Sequence, residues 1–259
     1  MKAFIAMKPA LSSMLLVALL LLQQSCNDSD MEPAMGEASL TFKAETTHST
    51  LANARVMATG LEYNTILLGL TKLELELEGE QGDDDDDHEG EDADSLDRDE
   101  HEEEIEFEGA YVVDLINGMS TPDFGMATLS PGNYDEIEVE FGPVLPDGNT
   151  VFIELDYVPE GGVMPVTVQY SNRYTLELEL ENTRGIDVMA DGYTQLLMVL
   201  DLDAVFDPVD LSAATADEDG IVRINANSNA AIASAIEANF SDAFKCGEDH
   251  DDDGEIDED

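Results

Sequence analysis

Nine residues near the C-terminus hold the most ordered set of metal-binding groups in the chain: Asp249-His250-Asp251-Asp252-Asp253-Gly254-Glu255-Ile256-Asp257. Carboxylates stand at positions one, three, five and nine, a glycine at six and an apolar residue at eight. A loop that wraps one hard cation needs this arrangement, because alternate oxygens must turn inward while a glycine permits the sharp bend. Asp249, Asp251, Asp253 and Asp257 are therefore candidate ligands, and Ca2+ is the ion they suit. A full loop takes a bidentate acid at position twelve, which would fall just past Asp259, and no helix follows. The spacing thus predicts weak binding, no tighter than about 10⁻⁴ to 10⁻³ M. A merely solubilising acidic tail is the competing reading.

The longest acidic run is Asp83 to Glu104, which includes His88, His101 and a single base, Arg98. Like charges that cannot bury themselves stay solvated. Low-affinity capture of divalent cations, helped by the two histidines, is the alternative, although no fixed ligand spacing stands out. Support for catalysis is thin. His88, His101 and His250 lie in acid runs and His48 near the N-terminus, so no Ser–His pair suggests itself. A carboxylate pair of glycosidase type cannot be found by counting acids, and the chain has no tryptophan to stack a sugar. Asp201 and Asp203 beside an apolar strand are the most interesting acids, with strand termination their simplest role. The expectation is a protein that is not an enzyme, with an envelope hydrolase as the alternative.

Composition restricts the partners. The chain has 259 residues, with 60 acidic against 10 basic and a formal net charge of -50. Such a surface repels nucleic acid and anionic bilayers and attracts cations and basic partners. Hydrophobic residues make up 43 % of the chain, enough for a real core. The two cysteines are Cys26 and Cys246, and if Cys26 carries lipid no intrachain disulfide remains. Cys246 reads as a small buried residue, since its neighbours are mostly acidic and reactive thiols favour positive surroundings.

Met1 to Lys8 holds two lysines and no acid, and Leu11 to Leu22 is an apolar run shorter than the ~20 residues of a spanning helix. Gln23-Gln24-Ser25-Cys26 follows, with a small residue directly before the cysteine. Residues 1–25 are read as a signal peptide and Cys26 as the lipid attachment point, holding the protein at the outer membrane or cell surface. Cleavage elsewhere, or an uncleaved anchor, is the alternative. Residues 26–37, polar and containing Pro33 and Gly36, form a tether.

The elements that must position the acids are strands. Leu73, Leu75 and Leu77 alternate with Glu74, Glu76 and Glu78, a period of two that no helix produces. Leu40-Thr-Phe-Lys43, Ile105–Glu108, Ile137–Phe141, Val151–Tyr157, Val166–Tyr170 and Leu176–Leu180 repeat the pattern. Pro and Gly clusters punctuate the intervals, as at Pro146-Asp-Gly-Asn149. The outward glutamates, including Glu177, Glu179 and Glu181, either call for counter-ions or keep strands from pairing with other chains. Leu196–Leu200 is apolar throughout and should be covered on both faces. Ile232, Ile236 and Phe240 predict one helix, with Ser228 or Asn229 as its N-cap. The expected fold is mainly β: a single antiparallel β-sandwich, immunoglobulin- or transthyretin-like, with a short C-terminal helix and disordered acidic segments. It should occupy residues 38–244, with an acidic hairpin loop at 79–104 and an acidic tail at 245–259.

Two resemblances follow. The nine-residue loop resembles the calcium loops of EF-hand, dockerin and thrombospondin-type repeats. Tyr111–Ile116, Leu129–Tyr134, Leu200–Ala204 and Ile224–Asn229, in that order, resemble segments of uncharacterised β-sandwich lipoproteins of the Bacteroidota, and the relaxed lipobox and the Asn27-Asp-Ser-Asp30 that follows Cys26 resemble the export signals of that phylum. The resemblance implies a surface-facing, lipid-anchored sandwich with a binding or structural role, an adhesion protein being one version. It implies no protein or glycan partner in particular.

Overall fold

A computed structural model of the chain describes residues 34–46, 49–50, 56–58, 60–77, 105–159, 162–179, 185–251 and 253–257. The expected signal peptide, Cys26, most of the tether, His48 and the loop 79–104 with His88 and His101 lie outside the described residues. So do Glu78 and Glu181.

The described chain is mainly β, in two sheets. Its strands are β1 (Gly36–Thr46), β2 (Ser49–Thr50), β3 (Val56–Ala58), β4 (Leu61–Leu77), β5 (Ile105–Asp114), β6 (Met119–Thr121), β7 (Met126–Leu129) and β8 (Gly132–Phe141). They continue as β9 (Val151–Tyr157), β10 (Met164–Tyr170), β11 (Tyr174–Glu179), β12 (Ile186–Val188), β13 (Tyr193–Asp201), β14 (Val222–Ile224) and β15 (Phe244–Glu248). One sheet runs β15-β13-β1-β2, with β7 also paired to β1. The other runs β11-β8-β4-β9-β10-β14, with β3, β5, β6 and β12 attached.

Alternation does what the sequence predicts. Leu73 and Leu75 on β4 and Ile137, Val139 and Phe141 on β8 turn into one core that also takes Phe42, Ala44, Met198 and Leu200 from the other sheet. Burying each large side chain contributes roughly 1.5–3 kcal/mol. β4 and β5 pair antiparallel, from Leu67 opposite Asp114 to Leu75 opposite Ile105. Leu196, Leu197, Met198, Val199 and Leu200 are all buried, as their unbroken apolarity requires.

Four features depart from the sequence reading. The sandwich is not wholly antiparallel: β1 lies parallel to β13, and β10 to β14. These partners are far apart in the chain, so no hairpin turn dictates their direction. β15 starts at the last residue of the expected sandwich, runs into the expected tail and pairs with β13 from Leu196–Glu248 to Leu200–Phe244. Its inward residues are Phe244 and Cys246, both buried, and Phe244 stacks 5.4 Å from Phe141 across the core. A short helix, α1 (Leu202–Phe206), follows β13 at once, capped by Asp201, whose carboxylate accepts the Ala204 N–H at 3.1 Å. Asp201 therefore ends its strand with a hydrogen bond, as expected, by starting a helix. The expected helix, α2 (Ala230–Phe240), buries Ile236 and Phe240. Its N-cap Asn229 makes no capping bond with its side chain. That amide instead donates to the Thr215 and Arg223 carbonyls, and the residue adopts a left-handed conformation.

Candidate metal centre

β15 delivers the loop. Its pairing with β13 continues one residue beyond the strand, where the Asp249 N–H donates to the Gln195 carbonyl at 3.0 Å. The chain then turns back on itself. One oxygen of the Asp249 carboxylate accepts the Asp253 N–H at 3.2 Å and the other the Gly254 N–H at 3.0 Å. Gln195 Nε2 donates to the same group at 3.3 Å. Asp249 is 3 % exposed, so these donors replace the water that a buried carboxylate loses. Asp257 returns beside the strand, its N–H donating to the Glu248 carbonyl at 2.9 Å. The His250 N–H donates to the Asp257 carboxylate at 2.5 Å, which closes the ring.

Gly254 is required twice. Its φ of +81° belongs to the left-handed region, and the Lys43 ammonium fills the space that a side chain there would take. Ile256, the apolar eighth residue, lies over Gly247, which stands opposite Leu197. Leu197 and Val199 are buried on the face of β13 turned away from the main core. The returning loop is thus part of the packing of that face.

The result is a convergence of oxygens. One carboxylate oxygen each from Asp249, Asp251 and Asp257 lies within 4.8 Å of the others. Calcium holds its oxygens at 2.3–2.6 Å, so two on opposite sides of one ion are roughly 4.6–5.2 Å apart. Three of the four expected ligands therefore meet at a spacing one hard cation spans. The fourth does not join them: Asp253 turns back to accept the Glu255 N–H at 2.8 Å, a local turn common for aspartate. Sequence reasoning missed Gln195, Glu248 and Lys43, because the sheet rather than the loop spacing brings them here. The His250 ring lies between Glu248 and Asp257, with Nε2 at 2.7 Å from one and Nδ1 at 3.3 Å from the other.

The remaining acids are arranged differently. Across the second sheet, Glu74 stands opposite positions 106 and 138, and Glu76 opposite 136. β11 adds positions 177 and 179, opposite 138 and 136. The Lys72 ammonium sits against Glu74 and 3.7 Å from Glu138. Partial burial, then the charges of Glu136, Glu74, Glu138 and Asp135, hold the Glu76 carboxyl above its ordinary pKa. Arg223 pairs with Asp217 and Asp219 at 2.8 and 2.7 Å. Its hydrogen bond, with one from the Ile221 N–H, pulls the Asp219 carboxyl down to about 2. Asp201 and Asp203 face the Tyr63 phenol, whose ionisation burial, and then their charges, pushes far up.

No family model, no curated protein and no solved structure matches this chain.

Proposed function

We propose that this chain is a lipid-anchored envelope protein that displays an acidic β-sandwich at the cell surface, with a binding or structural role and a weak calcium site in its C-terminal loop. The observation that carries the calcium reading is the meeting of Asp249, Asp251 and Asp257 within 4.8 Å in a loop whose first carboxylate is already oriented by backbone donors. Calcium would offset two of the three negative charges and fix Asp257, the residue that closes the loop against β15. Binding there would stabilise the whole domain, because Ile256 rides on the same loop and helps cover β13.

Support for the anchor comes from the sequence: a lysine-bearing start, an apolar run from Leu11 to Leu22, and Ser25 directly before Cys26. Attachment at Cys26 would hold the domain in the membrane by its acyl chains, at about 0.8 kcal/mol per buried CH₂. The four segments that resemble Bacteroidota lipoproteins support the same placement.

The test is calorimetric. The mature protein is melted with chelator, with magnesium and with millimolar calcium at constant ionic strength. Specific sites raise the melting temperature with calcium and not with magnesium, and Asp251→Asn abolishes the rise. Equal responses to the two ions would reduce the loop to screened charge. Cys26→Ala should move the protein from the membrane to the soluble fraction, and retention in the membrane would refute the anchor.

A further inference from the structure

A cavity of about 280 Å³ opens at the edge of β1. On this side β1 pairs with β7 through residues 36–39 and with β2 through 45–46, so among the described residues no strand covers the stretch between. The turn after β5 bridges part of it, where the Ala44 N–H donates to the Leu115 carbonyl at 3.3 Å. Backbone groups two residues apart in a strand point the same way, so the Phe42 carbonyl also faces this gap. It lies 3.6 Å from where a side chain on Gly118 would begin.

The lining divides by chemistry. Phe42 and Phe124, with ring centroids 5.6 Å apart, make an apolar wall with Leu40, and Phe124 is backed by Tyr111 at 4.7 Å. Thr41 and Ser120 bring hydroxyls, that of Ser120 already accepting the Phe124 N–H at 3.1 Å, and Asp123 brings a carboxylate, while the Ser39 hydroxyl pairs with that of Tyr193 at 2.7 Å. Asp123 spends one oxygen on the Gly125 N–H at 3.0 Å, and its other oxygen has no protein partner among the described residues. None of the lining residues is basic, and the nearest ammonium, that of Lys43, is directed to Gly254.

The geometry points to a binding site for a primary alkylammonium group, either a small free amine or the side chain of a lysine. A carboxylate, a backbone carbonyl and hydroxyls supply acceptors for the three N–H donors, while the aromatic wall takes the alkyl stem and attracts the cation by its ring faces. The volume lies just under the ~300–1,000 Å³ of pockets for larger ligands, which suits a group of this size. The charge of -50 favours a cationic ligand over an anionic one.

The test titrates the purified full-length protein with n-butylammonium, 1-butanol and tetramethylammonium at physiological ionic strength, following backbone amide signals. Saturable shifts at residues 39–42 and 118–125 with n-butylammonium are expected, with about tenfold weaker binding of the uncharged alcohol and of the quaternary ion, which has no N–H to donate. Asp123→Asn should weaken n-butylammonium binding about tenfold, and Phe124→Leu about threefold. A blocked Gly-Lys-Gly peptide that binds at least tenfold tighter than n-butylammonium would identify a protein lysine as the source, and equal or weaker binding a free amine. Equal affinity for butanol, or shifts spread over all acidic surfaces and unchanged in Asp123→Asn, would overturn the assignment. The comparison with butanol uses the unaltered protein, so it decides even if a variant fails to fold.

Discussion

On the outer face of the second sheet Glu74 stands between positions 106 and 138 and Glu76 beside 136, while after β15 Asp249, Asp251 and Asp257 turn toward one point. Both regions concentrate negative charge, and they handle it in opposite ways. On the sheet, the pleat fixes the glutamates at strand spacing, positions 74 and 76 standing opposite like charges at 138 and 136, and the ammonium that sits among them is that of Lys72. In the loop, backbone N–H groups orient the first carboxylate and a glycine brings the chain back, so the oxygens enclose a space. The number of carboxylates does not distinguish the two regions. Convergence does, together with donors that replace water before any ion arrives.

The strongest way to break the comparison is to remove the sheet's counter-ion. Glu74 is only 6 % exposed, and without the Lys72 ammonium it would be a nearly buried charge with glutamates on both sides. Lys72→Met is expected to destabilise the protein by about 2–3 kcal/mol at pH 7, measured by urea unfolding. The loss should shrink as pH is lowered, because Glu76, whose carboxyl is held above its ordinary pKa, takes up its proton and relieves the row. A loss under about 0.5 kcal/mol would show that solvent ions rather than Lys72 neutralise the row.

The loop is broken at Asp249. Asp249→Ala leaves the Asp253 and Gly254 N–H groups without their acceptor, at an expected cost of about 1–2 kcal/mol in chelator. It should also erase any calcium-dependent rise in melting temperature. Asp253→Ala should cost less and keep most of that rise, because Asp253 bonds the Glu255 N–H instead of facing the other three acids. Equal loss of the calcium response in both variants would mean that Asp253 swings inward on binding, as the sequence spacing first suggests.

Much of this contrast was legible in the residues. The alternation of Leu73 and Leu75 with Glu74 and Glu76 gave the strand, its inward face and its outward charge, because a period of two has one structural meaning. The unbroken run from Leu196 to Leu200 announced cover on both faces. What covers the second face was not legible, since Ile256 comes to lie over Gly247, opposite Leu197, only when β15 pairs with β13 and the loop returns. The direction of β1 against β13 was hidden for the same reason, being set by contacts between residues 156 positions apart in the chain. In the loop, spacing identified Asp249, Asp251 and Asp257 but misplaced Asp253, because a short aspartate side chain can satisfy the nearest N–H as readily as an ion. The cavity beside Phe42 carries no sequence signal at all, since it arises where two short strands leave the middle of β1 uncovered.

The finest test concerns pH and the sheet alone. Glu76 has a folded-state pKa above its ordinary 4.5, so the stability linked to it is fully present below 4.5 and is lost as pH rises through the raised value. Asp219 is the reverse. Its carboxyl is held at about 2 against an ordinary 3.8, so its contribution is present above 3.8 and is lost as pH falls through about 2. Because Asp219 lies exposed at the surface, its share is small and screened by salt. Melting temperature is therefore expected to rise as pH is lowered through the raised Glu76 value and to fall again as pH drops toward about 2. Glu136→Gln removes the first of the charges that raise Glu76, and should stabilise the protein by about 0.5 kcal/mol at pH 7 and by less as pH is lowered through the raised Glu76 value. A variant less stable than the wild type at pH 7 would mean that the glutamates opposite one another are bridged by cations even in the folded protein alone, and the sheet would then bind ions as the loop is proposed to do.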